Sequence, residues 1–264
     1  MQNTIERVAA IAPDFSERYQ ISIASTDELR RKVYRLRHKV FCDELGYAMD
    51  HIRGHEFDEY DAGSLHILLR ERASGTAIGC FRLVLPQEGE IWLPFDEYGV
   101  QHVDSKLFDW STVNRPRSVE VSRLALNVAA RHVGSHDKGA GASDPYLATA
   151  MFYAVTALVM HYSIDNVFMV IEPRLGRLIS RYGFRLSQIS PPFEYYGQRA
   201  TFTTSRRQGK VELVQLKKPW RNLFDVINKQ LFSDGAQPAK PRKLVAPPLP
   251  LAAVSQPRTV DMVL

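Results

Sequence analysis

The sequence predicts an α/β protein in which a twisted, mixed β-sheet carries helices on both faces. Segments with strand-like patterns are interspersed with segments of helical spacing, which is the order expected of such a sheet. Hydrophobic residues make up 45% of the 264 residues and charged residues 24%. This composition is typical of a globular protein with a substantial core rather than of a disordered chain.

Seven segments are predicted to be strands. Residues 19–24 alternate apolar and polar side chains, and residues 65–70 and 77–85 are predicted to pair as a hairpin through the turn-like segment 73–76. The other predicted strands are residues 119–126, 166–171, 200–204 and 211–216.

Four segments are predicted to be helices. Ser25 with Glu28 has the spacing of a capping box, and helical spacing continues to about Phe41. Asp144 is predicted to cap the apolar segment 146–160, which is shorter than the roughly 20 residues that cross a bilayer and is therefore predicted to be a core helix. The other predicted helices are residues 173–182, ended by Gly183, and residues 220–232.

One domain is predicted over residues 1–234, with its core at about 19–218 and a C-terminal amphipathic helix at about 220–232. Six prolines fall within residues 235–264, so this segment is predicted to be a disordered tail. The glycine-rich residues 134–143 are predicted to be a flexible loop.

Several classes of protein are disfavoured by the sequence. Charged side chains interrupt the first fifteen residues, which therefore do not resemble a signal peptide, and a cytoplasmic protein is expected. The two cysteines, Cys42 and Cys80, are too few for a disulfide framework or a cysteine-rich metal site. No bound metal is expected.

Positive charge is concentrated in residues 204–243, where ten Lys or Arg against three Asp or Glu give a net charge of +7. Such a segment is compatible with nucleic acid, anionic lipid or an acidic protein as partner, and equally with a solvated surface. Its aromatic residues fit an amphipathic helix and are not interleaved with the charges. Nucleic-acid binding is therefore disfavoured.

Arg82 lies within a strongly apolar predicted strand, so its guanidinium is expected to be buried. A buried charge without a partner costs several kcal/mol, and Arg82 is therefore expected to meet carboxylates. The candidates are Glu56, Asp58 and Asp61. Such a group can be a purely structural salt-bridge network or part of a functional site.

Glu120 and Ser122 lie two residues apart in the predicted strand 119–126, so both are expected on one face, with Arg123 on the other. A carboxylate and a hydroxyl on one face can work together in a cleft. Glu120 is the candidate general base, acting directly or through water, and Ser122 is a candidate for orienting a substrate.

These residues form an ordered pattern across about residues 33–124. Its members are Arg37, Phe41, Asp58, Asp61, Arg82, Glu120, Ser122 and Arg123. In identity and spacing the pattern resembles that of the acyl-homoserine-lactone (autoinducer) synthases and the related long-chain N-acyl amino acid synthases.

The resemblance implies a GNAT-type N-acyltransferase fold with a splayed sheet that admits a phosphopantetheine arm. It implies a catalytic group of Glu120, Arg82 and Ser122. The substrate-binding residues that it implies are Arg37, Phe41, Tyr47, Asp58, Asp61 and Arg123. Arg37 and Phe41 are expected to close over the acceptor pocket, and Ser122 and Arg123 to seat the pantetheine arm or support the strand.

The resemblance also implies an acyl-acyl carrier protein as the donor and no bound cofactor. The glycine turn that cradles the pyrophosphate of coenzyme A does not follow Leu126, which agrees with a carrier-protein donor. An acidic carrier protein would suit the basic segment, and peripheral membrane contact is a second use for it. The predicted docking residues are Arg206, Arg207, Lys210, Lys217, Lys218 and Arg221.

Two departures separate this chain from the lactone synthases. Tyr47 stands where they usually have tryptophan, and the C-terminal third resembles that of acyltransferases associated with the PEP-CTERM/exosortase system. The predicted function is therefore transfer of a long-chain fatty acyl group from acyl-acyl carrier protein to the amine of a small amino acid. Two alternatives stay open: a lactone synthase that uses S-adenosylmethionine, and a non-catalytic acyl- or nucleic-acid-binding module.

Overall fold

The structure is a computed structural model that describes residues 11–86, 93–127, 145–181 and 183–232. The α-helices in these ranges are α1 Ile11–Arg18, α2 Asp27–His38, α3 Pro94–Tyr98, α4 Pro145–His161, α5 Pro173–Arg181, α6 Arg206–Gln215 and α7 Lys218–Phe232. The strands are β1 Tyr19–Ile23, β2 His51–Ile52, β3 His55–Glu56, β4 Ser64–Glu71, β5 Ala77–Val84, β6 Ser118–Leu126, β7 Asn166–Ile171, β8 Ser187–Gln188, β9 Phe193–Glu194 and β10 Gln198–Ser205.

A mixed sheet forms the centre of the molecule, with the strand order β1-β4-β5-β6-β7-β10-β8 and β9 paired to β10. The contacts β1–β4, β4–β5 and β5–β6 are antiparallel, β6–β7 is parallel, and β7–β10 is antiparallel. The strands β2 and β3 form a separate small hairpin. The predicted mixed sheet is confirmed, and its parallel step lies in the middle.

The larger core lies on the sheet face that carries α1, α4 and α7. The apolar side chains of α4 are buried almost all round, and Met151 and Leu158 are fully buried with Leu223 and Ile227 of α7. Burial of one such side chain stabilises the fold by about 1.5–3 kcal/mol. The prediction that residues 146–160 form a core helix is confirmed. No helix in the described ranges combines the length and the apolar character needed to cross a membrane.

The opposite face of the sheet carries α2 and α3 over two smaller clusters. Val33 and Leu36 of α2 pack on Leu68 and Cys80, and Phe95 of α3 belongs to a cluster with Phe168. After α2 the chain continues into a π-helical segment, Lys39–Glu44, and a 3-10 turn, Glu59–Gly63, precedes β4. These elements bring the residues of the predicted pattern over the centre of the sheet.

The parallel strands β6 and β7 pair over only three residues. The ladder joins Ser118–Glu120 to Asn166–Phe168, and beyond these positions the strands separate. Residues of both strands past that point, including Ser122 and Met169, line one cavity. The splayed sheet expected from the resemblance is therefore present at this step.

The strand β6 contains a β-bulge where its register with β5 shifts between Cys80 and Arg82. Arg123 has φ of 55° there, in the left-handed region. Its side chain therefore joins Glu56 and Asp58 above the α2 face. The prediction that Arg123 points away from Glu120 and Ser122 was wrong, because strict alternation does not hold across a bulge.

Two further predictions of local structure were wrong. Residues 211–216 are not a strand: they fall in α6 and its C-terminal end, and Ser205 caps that helix by accepting a hydrogen bond from the Gln208 amide. The cap of α2 is Thr26 rather than Ser25, since the Thr26 hydroxyl accepts from the Leu29 amide at 3.3 Å. The segments 134–143 and 235–264 and the predicted cap Asp144 lie outside the described residues.

Candidate active site

A cavity of about 540 Å³ lies where β6 and β7 separate. One end is polar and includes Asp58, Arg82, Glu120 and Arg123. The other end is apolar and lies on the α4 side of the sheet. Its apolar lining includes Leu124, Phe152, Met169, Leu175 and Ile179, which belong to or pack against the core cluster of the α4 face. The cavity therefore has the two environments that a reaction between a fatty chain and a polar molecule requires.

Three arginines and three carboxylates form a network at the polar end, in which Arg37, Arg82, Glu56 and Asp61 are buried while Arg123 and Asp58 are half-buried. Arg37 donates to both oxygens of Asp61, at 2.7 and 3.0 Å, and also to Glu56. Arg82 donates to Asp61 at 2.9 Å and to Asp58.

Arg123 completes this network from β6. It donates to Glu56 at 3.0 Å and to Asp58 at 2.8 Å. With three cations and three anions the network is neutral, and each carboxylate contacts two guanidinium groups. Burial opposes ionisation of Asp61, but Arg37 and Arg82 outweigh it and hold the pKa of Asp61 well below its usual range.

The spacing of Asp58 and Asp61 has a local structural reason. Asp58 is the N-cap of the 3-10 turn Glu59–Gly63 and accepts from the Tyr60 amide at 3.0 Å, while Asp61 accepts from the Asp58 amide at 2.8 Å. This reciprocal capping fixes both carboxylates before any arginine is considered. The turn therefore presents two oriented anions to the sheet.

Glu120 lies in the cavity wall with only 3% of its surface exposed. Burial raises the pKa of Glu120 to about 7, although Arg82 and the Phe95 amide, which donates to this carboxylate at 2.5 Å, act in the opposite direction. A carboxyl group whose pKa lies near neutrality is suited to accept a proton from a substrate.

The predicted site residues occupy two layers. Seven of them line the cavity: Phe41, Tyr47, Asp58, Arg82, Glu120, Ser122 and Arg123. Arg37 and Asp61 do not line it and lie in the buried network behind it. The expectation that Arg37 closes over the pocket was wrong, because its side chain is 0% exposed and is held by Glu56 and Asp61.

Ser122 contacts the network through Arg82, whose Nε donates to the Ser122 hydroxyl at 3.0 Å. Phe41 stacks against Tyr47 with ring centres 6.5 Å apart. Both rings face the cavity from the segment after α2. The aromatic pair therefore borders the polar end, and Ser122 helps to fix the guanidinium of Arg82.

Five of the predicted docking residues lie on α6 or α7, and Lys217 lies between these helices; Arg206 is at the end of β7 away from the cavity. Arg206 pairs with Asp165 at 3.0 Å, just before β7 begins, and Arg221 donates to the Leu213 carbonyl, so both are bound within the chain. The cavity wall takes its β7 residues from the other end of the strand, up to Ile171. The four predicted docking residues that are exposed are Arg207, Lys210, Lys217 and Lys218.

Several cavity residues were not anticipated from the sequence. They are Tyr98, Tyr195, Tyr196 and Arg199, which come from α3 and from the segment around the start of β10. In the sequence, Gly197 follows two tyrosines, and a glycine is a turn signal. In the structure its φ is 90°. Nothing in the sequence places that turn against Tyr47, which accepts a hydrogen bond from Arg199 at 3.0 Å.

The family model described as autoinducer synthase matches residues 20–203. This chain belongs to the autoinducer synthase family. It is therefore an acyl-transferring enzyme with the acyltransferase fold that the resemblance implied. The matched range contains the ion-pair network, Glu120 and the separated strands.

The sequence relatives of this chain include acyl-homoserine-lactone synthases. That of Aeromonas salmonicida is 39% identical over 165 residues, which cover 61% of this chain and 72% of the relative. That of Agrobacterium fabrum is 27% identical over 188 residues, covering 70% of this chain and 79% of the relative. Both similarities agree with the family assignment.

Solved structures similar to this autoinducer synthase family member show the same fold. The AHL synthase LasI has a TM-score of 0.52 at 21% identity, covering 70% of this chain and 87% of LasI. FeeM, an N-acyl amino acid synthase from uncultured soil microbes, has a TM-score of 0.53 at 15% identity, covering 74% of this chain and 94% of FeeM.

Replacement of Arg37 by methionine tests the buried network. Arg37→Met leaves Asp61 and Glu56 without their shared cation, so the free energy of unfolding is expected to fall by about 3–5 kcal/mol. The matched control is Arg30→Met on the same helix, where an exposed pair with Asp27 is lost and the expected change is below about 1 kcal/mol. Chemical denaturation of both variants measures the difference, and equal losses would contradict the analysis.

Proposed function

We propose that this protein transfers a long-chain fatty acyl group from acyl-acyl carrier protein to the amine of an amino acid. The observation that carries the proposal is the position of Glu120. Its buried carboxyl group, with a pKa raised to about 7, lines a cavity that is polar at one end and apolar at the other. A base between an acyl-binding region and a polar pocket is what N-acylation requires.

The reaction proceeds in one transfer without an acyl-enzyme. The ammonium of the acceptor loses a proton to Glu120, directly or through water, and the free amine attacks the carbonyl carbon of the thioester. The C–N bond forms, the nitrogen of the tetrahedral intermediate gives up its second proton, and the C–S bond breaks as that proton passes to the carrier's leaving sulfur, so that the products are the amide and the free thiol. Ser122 and Arg82 lie at the polar end of the cavity, where Arg82 donates a hydrogen bond to Ser122 and is held by ion pairs with Asp58 and Asp61.

The gap between β6 and β7 is proposed to receive the pantetheine arm of the donor. Unpaired backbone on the facing edges of the two strands can bond to the amides of that arm, in the manner of an added strand. The acyl chain then occupies the apolar end among Phe152, Leu175 and Ile179. Burial of each methylene there contributes about 0.8 kcal/mol, which favours a long chain over a short one.

Two features support an amino acid as the acceptor. Tyr47 borders the polar end in place of the tryptophan usual in the lactone synthases that the pattern resembles. The helices α6 and α7 extend beyond residue 203, where the family match ends, and this C-terminal third resembles that of the acyltransferases associated with the PEP-CTERM/exosortase system, which are similar to N-acyl amino acid synthases. They belong to the fold, since Leu223 and Ile227 are fully buried and Gln230 accepts from the Ile21 amide at 2.8 Å.

The second candidate function is acyl-homoserine-lactone synthesis from S-adenosylmethionine. It is favoured by the sequence relatives, which are named acyl-homoserine-lactone synthases and include one that is 39% identical. The proposed chemistry at Glu120 is the same in both cases, because the first step is N-acylation of an α-amine. The two candidates differ in the acceptor and in whether a ring closes.

Mass spectrometry of the products distinguishes the two candidates. Purified protein supplied with acyl-acyl carrier protein, the twenty amino acids and S-adenosylmethionine is expected to form an N-acyl amino acid with a free carboxylate. A product that appears only with S-adenosylmethionine and has the mass of a lactone would instead identify the second candidate. Absence of any acylated amine with either acceptor class would refute acyl transfer and favour a non-catalytic acyl-binding module.

Glu120→Gln tests the proposed base. Glutamine keeps the volume and the acceptor for the Phe95 amide but cannot take a proton, so kcat is expected to fall by about 10²- to 10⁴-fold. The wild-type kcat/KM is expected to rise with pH and level off above about 7, where Glu120 is ionised, and the residual activity of the variant should lack this rise. An unchanged kcat, or the same pH profile in both proteins, would exclude Glu120 as the base.

The stability of the same variant is the control for its fold. Because the pKa of Glu120 is raised in the folded state, the unfolded chain releases its proton at lower pH, and the contribution of Glu120 to wild-type stability falls as pH rises from about 4 to about 7. Glutamine has no charge to bury. At pH 8 thermal unfolding of Glu120→Gln should therefore occur at or above the wild-type temperature.

Charge reversal tests the proposed carrier-protein surface on α6 and α7. Lys210→Glu with Lys217→Glu is expected to raise KM for acyl-acyl carrier protein by about 10-fold at low salt, because steering charges act on encounter. The effect should shrink with salt and be absent with an acyl-coenzyme A donor. The matched control is Arg31→Glu with Lys39→Glu, two exposed cations on the opposite face.

The opposite result would assign this surface another role. If the Lys210 and Lys217 variant uses the carrier protein as well as the wild type, the carrier does not dock on α6 and α7. Loss of binding to vesicles that contain anionic lipid, in that variant alone, would then indicate peripheral membrane contact.

A further inference from the structure

Among the described residues, three arginines line the cavity, and they differ in how fully their charges are paired. They are Arg82, Arg123 and Arg199. Arg82 and Arg123 each contact two carboxylates of the neutral network. Their charges are therefore already matched within the protein. An anion brought to them would lie close to Glu56 and Asp58, which also line the cavity and repel it.

Arg199 is situated differently. Its carboxylate contact is with Glu172, at 3.1 Å, and the side chain of Glu172 is 50% exposed whereas that of Arg199 is 12% exposed. An ion pair with a solvated partner contributes little to stability, so Glu172 can turn into solvent when another anion takes its place. Arg199 itself stays in position, because it donates to the Tyr47 hydroxyl at 3.0 Å and lies over the Tyr47 ring.

Acidic and basic side chains are therefore unevenly distributed around the cavity. The acidic lining residues Asp58, Glu59 and Glu120 come from β6 and the segment before β4, whereas Arg199 comes from β10 and its partner Glu172 directly follows β7. A second cavity of about 620 Å³ adjoins on that side, shares Arg199 and is also lined by Arg174 and Arg177. This side consequently carries positive charge beyond Arg199 as well.

We propose that Arg199 binds the α-carboxylate of the acceptor in place of Glu172, and that it thereby makes the enzyme select α-amino acids over amines without a carboxylate. This inference rests on the proposed transfer of an acyl group to an amine. The guanidinium of Arg199 offers a planar pair of donors that matches a carboxylate. The acceptor would be held with its carboxylate at Arg199 and its amine directed to Glu120. An S-adenosylmethionine acceptor has the same two groups and would be held in the same way.

A matched pair of acceptors tests this role. The acceptor is the amino acid that the purified enzyme acylates best, and its counterpart is the amide of that amino acid, which has the same shape without the negative charge. The wild type is expected to prefer the acid by about 10- to 100-fold in kcat/KM, because a charged hydrogen-bonded pair is lost with the amide. Arg199→Gln should abolish this preference by raising KM for the acid, with kcat much less affected.

Two further variants separate binding from a structural effect. Glu172→Gln removes the competing carboxylate, so KM for the acid is expected to fall by about 2- to 5-fold. Arg117→Gln is the matched control: it loses an ion pair with Asp165 at the opposite end of β7, and the preference for the acid should persist. A merely structural role of Arg199 would lower activity with acid and amide alike, whereas carboxylate binding predicts a loss confined to the acid.

The outcomes also distinguish this inference from the proposed function. If the wild type acylates no amine at all, the proposed function fails. If it acylates acid and amide equally well, or if Arg199→Gln keeps the wild-type preference, acyl transfer stands and carboxylate binding by Arg199 is refuted.

Discussion

The buried network of three arginines and three carboxylates is the interaction on which the site depends. Arg37 comes from α2, Arg82 from β5 and Arg123 from β6, and the carboxylates come from the segment between α2 and β4. Each cation is held by two carboxylates, so no element can shift without separating charges in a region of low solvent access. The network fixes the segment after α2 against the sheet, and that segment supplies one wall of the cavity.

This arrangement explains why a site with so much charge can also hold a carboxyl group near neutrality. The network is neutral and its charges are mutually satisfied, so Arg82 and Arg123 lower the pKa of Glu120 by less than burial raises it. Burial then dominates and raises the pKa of Glu120 to about 7. A network with surplus positive charge would keep Glu120 ionised at lower pH and make it a weaker base.

The cavity itself results from incomplete pairing in the sheet. The ladder between β6 and β7 ends at Glu120 and Phe168, and the bulge at Arg123 turns the next part of β6. The same irregularity separates the strands and directs Arg123 into the network. Opening the sheet at its parallel step connects the α2 face, which is polar at this point, with the apolar face under α4. A single cavity can therefore hold a hydrophobic chain and a charged acceptor.

The comparison of sequence with structure shows which features are local. The helix α4, the hairpin of β4 and β5 and the strand β7 follow from apolar pattern and turn residues, and all were predicted. The carboxylate pair Asp58 and Asp61 has a local basis as well, because the two side chains cap one short turn. Arg82 was expected to be buried and paired from the polarity of its strand, and it contacts Asp58 and Asp61.

The features that the sequence left undetermined depend on packing between distant segments. Residues 211–216 were predicted to be a strand, but residues 211–215 belong to a helix that Ser205 caps and in which Gly209 packs closely against Met160 of α4. The side chain of Arg123 departs from the alternation of a regular strand, because Arg123 lies in a β-bulge. Arg199 reaches the cavity only because the turn at Gly197 lies against the segment after α2, 152 residues away from Tyr47 along the chain. The sequence by itself determined the charged groups and the sheet that carries them, because these depend on residue type and short-range pattern. The tertiary structure decided which charges are neutralised and which remain available to a substrate, because that depends on contacts between residues far apart in the chain.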